Sequence, residues 1–157
     1  MATNIEVTIS GTFDVAQYLE RLRKRIEEPP DKLMSQLATE VIDETDRRWL
    51  ANGDGEWQPL KSSTIKRKMR KRGSAFPLID TGVMFSSLNY QNTSSRETIV
   101  RLPYAGEKRN IDVPSYQQNG TRYIPARPIL VKTTKLVNRL RKIMLDYVIR
   151  IISDKDY

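Results

Sequence analysis

The chain has 157 residues, 38% of them hydrophobic and 29% charged, with 27 basic against 19 acidic side chains and neither cysteine nor histidine. Its length suits one domain spanning 1–157, large enough to bury a real core. Without thiols or imidazoles there is no disulfide, no Cys/His metal site and no nucleophilic triad built on Cys or His, so no enzyme, cofactor or small-molecule substrate is expected.

Met1-Ala2-Thr3-Asn4 carries neither a basic region nor an apolar run of the secretory type. No apolar stretch approaches the ~20 residues of a membrane span, so the expectation is a soluble chain with no membrane partner. Ile5, Val7 and Ile9 alternate with Glu6, Thr8 and Ser10, which predicts a strand ended by Gly11. Asp14 can cap a helix whose apolar positions Val15, Tyr18, Leu19, Leu22 and Ile26 follow the helical period, with Glu27-Glu28-Pro29-Pro30 breaking it. Pro30 suits the first position of a second helix running to about Leu50. Its expected buried stripe is Leu33, Met34, Leu37, Ala38, Val41, Ile42, Thr45 and Trp49, and Asn52-Gly53-Asp54-Gly55 ends it.

The next stretch is unlike the rest of the chain. Trp57-Gln58-Pro59-Leu60 leads into a run holding Lys61, Lys66, Arg67, Lys68, Arg70, Lys71 and Arg72 with no acidic residue. Without those seven, the remaining chain holds 20 basic and 19 acidic residues, so the excess charge sits in one segment. Ser62 or Ser63 can cap a short helix from Thr64 to about Arg72. Such a run can neutralise phosphates or meet an acidic protein surface. It lacks aromatic residues to stack on bases, and both readings stay open. Trp57, beside a turn-rich loop, is the expected anchor of that loop.

Leu78-Ile79-Asp80-Thr81-Gly82 has the form of an aspartic-protease triplet, but it reads better as a buried pair before a helix cap, since no second such motif follows. A short helix with Val83, Met84, Phe85 and Leu88 comes next. A hairpin is expected from Leu88 to Asn92 and Thr98 to Leu102. An irregular region from Tyr104 follows, then the turn Asn119-Gly120 and a short strand at Arg122-Tyr123-Ile124. Arg127 stands between Pro125 and Pro128 and is a candidate interface residue, held by two rigid neighbours. Val131 to Ser153 predicts a last helix with Val137, Leu140, Met144, Tyr147, Val148 and Ile151 in its stripe and Arg139 on its basic side.

Read together, the motifs resemble those of the phage virion morphogenesis family, the Mu-like tail-completion and neck proteins. The shared order is Trp-x-Pro-Leu, Thr and a Lys-rich run at Trp57 to Arg72, then the hydrophobic Thr-Gly segment at Leu78 to Ser87. Tyr104-Ala105, Tyr116-Gln117-Gln118-Asn119-Gly120 and Ile124-Pro125-Ala126-Arg127-Pro128 complete it. Many members carry a His-Gln pair before the loop glycine, where this chain has no histidine, and the segment from Gly106 to Ser115 is longer than usual. The resemblance implies an α+β tail-completion-like domain, which fits the elements above: a small antiparallel sheet packed against long amphipathic helices, with an extended basic loop at about 51–77. It implies a structural virion protein of the head–tail junction, assembled in the host bacterial cytoplasm. The partners implied are its own copies in a hexameric ring, a neck or connector protein, and the tail terminator or tail tube, with genomic DNA along the axis. A stand-alone basic DNA-binding protein is the alternative.

Overall fold

A computed structural model describes residues 12–103 and 112–153. The strand expected around Ile5, Val7 and Ile9, and the Tyr104-Ala105 pair, lie outside the described residues. The fold is α+β, with long helices and one two-stranded antiparallel sheet among the described residues. In chain order the elements are α1 (Thr12–Glu27), α2 (Asp31–Leu50), α3 (Ser62–Arg72), α4 (Val83–Ser86), β1 (Asn89–Ser94), β2 (Glu97–Arg101), α5 (Val113–Asn119) and α6 (Thr134–Ser153).

α2 organises the rest, packing against α6 and against both strands of the hairpin. Pro30 stands one residue outside α2, in an extended conformation with φ −67° and ψ 147°, and Asp31 begins the helix. Leu33, Met34, Ala38, Thr45 and Trp49 are buried along it, while Leu37, Val41 and Ile42 are half-buried. The helix stops where Asn52 turns left-handed at φ 53°, in a 3-10 turn over Gly53–Gly55. Gly53 has φ 68°, and a Cβ there would lie 2.5 Å from the Trp57 ring, so both the turn and the close approach require glycine.

The core gathers where α2 ends. Trp49, Trp57, Met84 and Ile129 are buried together, with Leu78, Ile79, Phe85, Leu102 and Val113 packed around them. Phe85 meets Trp49 edge-on, at 5.2 Å between centroids and 82° between planes. The hairpin pairs Asn89 with Arg101 and Gln91 with Ile99, and a bulge between Asn92 and Ser94 accommodates one extra residue before the turn.

Several expectations are corrected. α1 begins at Thr12, ahead of Asp14, and its apolar stripe is not buried: Val15, Leu19 and Ile26 are exposed. Its main neighbour is α6, to which Tyr18 Oη donates at Ile152 O (3.4 Å), while Tyr147 Oη of α6 donates to Arg25 O (2.9 Å). Tyr18 and Leu22 of the stripe are half-buried, while Val15, Leu19 and Ile26 of the same stripe stay exposed. Arg122-Tyr123-Ile124 forms no strand, because Thr121 N donates to Ile124 O (2.8 Å) and closes a turn there instead. The region read as irregular holds α5, capped by Asp112, whose Oδ1 accepts from Ser115 N at 3.0 Å.

A chain of charges braces α2. Glu44 is buried between Arg47 (2.8 Å) and Arg139 of α6, and Arg139 also pairs with Glu40 at 2.7 Å. Arg47 and the buried Arg48 reach Asp54 at 2.8 and 3.0 Å, and Arg48 reaches Glu56 at 3.0 Å. Arg139 was expected on a solvated helix face; it instead joins α6 to α2, since the stripe that docks α6 turns it toward Glu40 and Glu44.

Candidate partner-binding site

The extended basic loop expected over 51–77 is helical in its middle. Ser62–Arg72 forms α3, with Lys61 at the cap position and no side-chain cap from Ser62 or Ser63. The run Lys66-Arg67-Lys68-Met69-Arg70-Lys71-Arg72 is made of good helix formers. Its last-turn cations complement the carbonyl end of the helix, and Gly73 at φ 68° ends it left-handed.

Winding into a helix divides the basic run by face. Thr64, Arg67, Lys68 and Lys71, at successive spacings of three, one and three, line a cleft of about 380 Å³. Lys66 and Arg70 lie off that face and are exposed, as is Lys61. Arg72 meets Asp80 at 3.7 Å with both side chains open to water, a pairing worth little. Lys68 differs from the other six: it is buried, and its Nζ donates to Phe76 O at 2.6 Å and to Ile79 O. It thereby staples the bend in which Leu78 takes a left-handed φ of 63°. Burial pushes the Lys68 ammonium below the ordinary lysine range; Asp80 opposes this and Arg67 adds to it.

Across from α3 the cleft is lined by Val113 and Gln117 of α5 and by Arg127 of the Ile124–Leu130 segment. Arg127 is buried there, its Nη2 and Nε donating to Gln58 O at 3.0 and 3.3 Å. Its guanidinium therefore holds the Trp57-Gln58-Pro59-Leu60 segment from within the subunit. Burial lowers its pKa. Trp57 is also buried, and its Nε1 donates to Pro128 O at 3.1 Å, so the Trp-Pro-Leu segment and the proline-framed strap grip each other from both ends.

α5 locks the strap on its other edge. Arg127 N donates to Gln117 O at 2.6 Å. The Gln118 side chain accepts from Ile129 N (2.8 Å) and Leu130 N (3.1 Å) and donates to Leu130 O (2.9 Å), so one amide substitutes for a missing strand partner. Gly120 sits at φ 74°, and a Cβ there would meet Ala126 N at 2.8 Å, which is why the loop carries glycine at this point. Replacing Gln118 leaves three backbone groups to find water or stay unpaired. Gln118→Ala is expected to cost about 1–2 kcal/mol, read as a lowered urea midpoint with unchanged slope.

Sequence reasoning singled out Trp57, Arg127 and the basic run, but not Gln117, Gln118 or Met84 as neighbours of them. The signal for α5 was present in Asp112 followed by Pro114, a cap residue with proline in the first turn. The Leu78 to Gly82 segment contributes Leu78 and Asp80 to the lining of the cleft, and Asp80 is exposed. Among the described residues no helix is long and apolar enough to cross a membrane. Comparison with protein-family models, with curated proteins and with solved structures returns no match in any of the three.

Proposed function

We propose that this chain is a structural, non-enzymatic subunit of the head–tail junction of a tailed phage, closing with its own copies into a ring around the DNA path. In the virion it would bridge a neck or connector protein and the tail terminator or tail tube. The observation that carries the assembly is the apolar surface left open on α1 and α6. Val15, Leu19 and Ile26 on α1, and Leu145, Ile149 and Ile152 on α6, are all at least half exposed. Each set recurs at helical spacing, so each is a stripe and not scattered residues. Contiguous apolar stripes of this kind mark surfaces that a partner covers. A ring needs two different patches that meet on neighbouring copies, and the stripes of α1 and α6 are the candidates for them. The assignment to the phage junction rests on the ordered motifs between Trp57 and Pro128.

The stand-alone DNA-binding reading is favoured by one feature, the outer face of α3, where Lys66 and Arg70 are exposed. Light scattering over a range of protein concentrations, with a salt titration of duplex binding, separates the two. The expected result is a closed oligomer that Leu19→Glu or Ile149→Glu reduces to single subunits of unchanged circular dichroism. A subunit that stays monomeric at all concentrations, and binds duplex with a steep salt dependence, would replace the ring by the DNA-binding reading.

A further inference from the structure

We propose that the cleft lined by α3, α4, α5 and Arg127 is a docking pocket for a peptide segment of a partner protein that carries a carboxylate beside an apolar side chain. The chemistry is derived from the cleft itself; the supply of such a segment by a neighbouring virion protein rests on the proposed assembly role.

Charge is the first argument. Arg67, Lys68, Lys71 and Arg127 all line the cleft, and Asp80 is the only carboxylate among its lining residues. Asp80 is exposed and its ion pair is with Arg72, and a single carboxylate balances at most one of the four cations. Lys68 and Arg127 are buried, yet their hydrogen bonds go to carbonyls and neither has an ion pair among the described residues. Buried cations without an ion pair are costly, and an anion entering the cleft that they line would offset that cost.

The second argument is shape and polarity. The floor and walls between the cations are apolar, formed by Leu60, Leu78, Met84 and Val113. A volume of about 380 Å³ is at the small end of ligand-sized sites. It admits a few side chains and not a double helix. A phosphodiester backbone would satisfy the cations but bring nothing for the apolar walls. A carboxylate with an adjacent leucine or phenylalanine satisfies both. The cations of α3 that a duplex could reach, Lys66 and Arg70, lie on the other side of the helix. The basic run is thus two surfaces, and the inward one suits protein.

The test uses the full chain and a fluorescein-labelled, end-capped peptide containing Glu-Leu-Asp-Phe, followed by anisotropy at moderate salt. Two companion peptides carry serine for leucine and phenylalanine, or glutamine and asparagine for the acids. Arg67→Glu and Lys71→Glu reverse the cleft face, and Lys66→Glu and Arg70→Glu reverse the outer face. All four positions are exposed, and melting curves establish that each variant is folded; Arg67→Gln and Lys71→Gln stand in should a charge reversal unfold the chain. The expected result is saturable binding that weakens about tenfold with either cleft-face reversal and with either companion peptide, and less than about threefold with the outer-face reversals. No binding, equal loss from both faces, or indifference to the apolar side chains would each overturn the pocket. Competition by a short DNA duplex that the cleft-face reversals abolish would give the cleft to nucleic acid instead. Because the peptide is supplied in solution, failure of ring formation leaves this result readable, and failure of peptide binding leaves the ring untouched.

Discussion

Trp57→Ala is expected to lower stability by about 3–5 kcal/mol, the range for emptying a buried aromatic site, and to lower Tm by roughly 10 °C. The ring is buried against Trp49, Met84 and Ile129, and its Nε1 bond to Pro128 O ties residues 71 positions apart in the chain. Its removal acts twice, opening a cavity beneath Gly53 and releasing the strap that carries Arg127. Trp57→Phe separates the two effects: it keeps most of the buried area but leaves Pro128 O unpaired, and is expected to cost about 1–2 kcal/mol. Thermal melts of both variants beside wild type are the measurement. An alanine variant that melts like wild type would mean that the loop from Asn52 to Leu60 closes without its tryptophan.

Glu44→Ala is the second large effect, at about 2–3 kcal/mol, reduced from the fully buried case because Arg47 and Arg139 are both partly open to water. The loss falls on the join between α2 and α6. Hydrogen bonding from Arg47 holds the Glu44 carboxyl well below its ordinary value, at about 2; burial opposes this and Arg139 adds to it. The folded pKa is depressed, so the unfolded chain takes up this proton around pH 4.5 and the folded protein only near pH 2. The Glu44 contribution is complete above the unfolded pKa of 4.5 and is lost as pH falls from there toward about 2. Discounted for screening, it amounts to on the order of 1–2 kcal/mol. Urea midpoints measured between pH 6 and 3, which bracket roughly the upper part of that window, should fall in acid more for wild type than for Glu44→Ala. Parallel pH profiles would mean that another carboxylate carries the acid sensitivity.

The two experiments bear on the proposed assembly differently. Trp57 acts on the strap and on one wall of the cleft, so its loss should weaken peptide docking as well as folding. Glu44 acts on the angle between α2 and α6, and so on the surface where the exposed stripe of α6 is presented.

The sequence by itself determined the local structure. The helical period of Leu33, Met34, Ala38 and Trp49 marked α2, Ser62-Ser63 before Thr64 marked the short helix α3, and the stripe of Val137, Leu140, Tyr147 and Ile151 marked α6, all of which form near the expected positions. The turn residues Asn52 to Gly55 and the hairpin at Asn89 to Arg101 were legible for the same reason: backbone preference and side-chain period act over a few residues. The α+β class was implied by the motif resemblance, and the order of those elements fits it. The α5 helix was missed because it is short, with only Asp112 and Pro114 to announce it. Only the tertiary structure decided what each apolar stripe meets. The stripe of α2 is covered by α6 and the hairpin, and the stripe of α1, equally clear in sequence, is left open. An amphipathic period records that a face is apolar, and nothing in it records the neighbour. The same holds for charge. The burial of Lys68, Arg127 and Glu44 cannot be read from their own stretches of sequence: Phe76 to Ile79 folds back over Lys68, and segments distant in the chain bring Gln58 against Arg127 and Arg139 against Glu44. Burial and pairing depend on contacts across long loops, and those are fixed by packing, after local structure has formed.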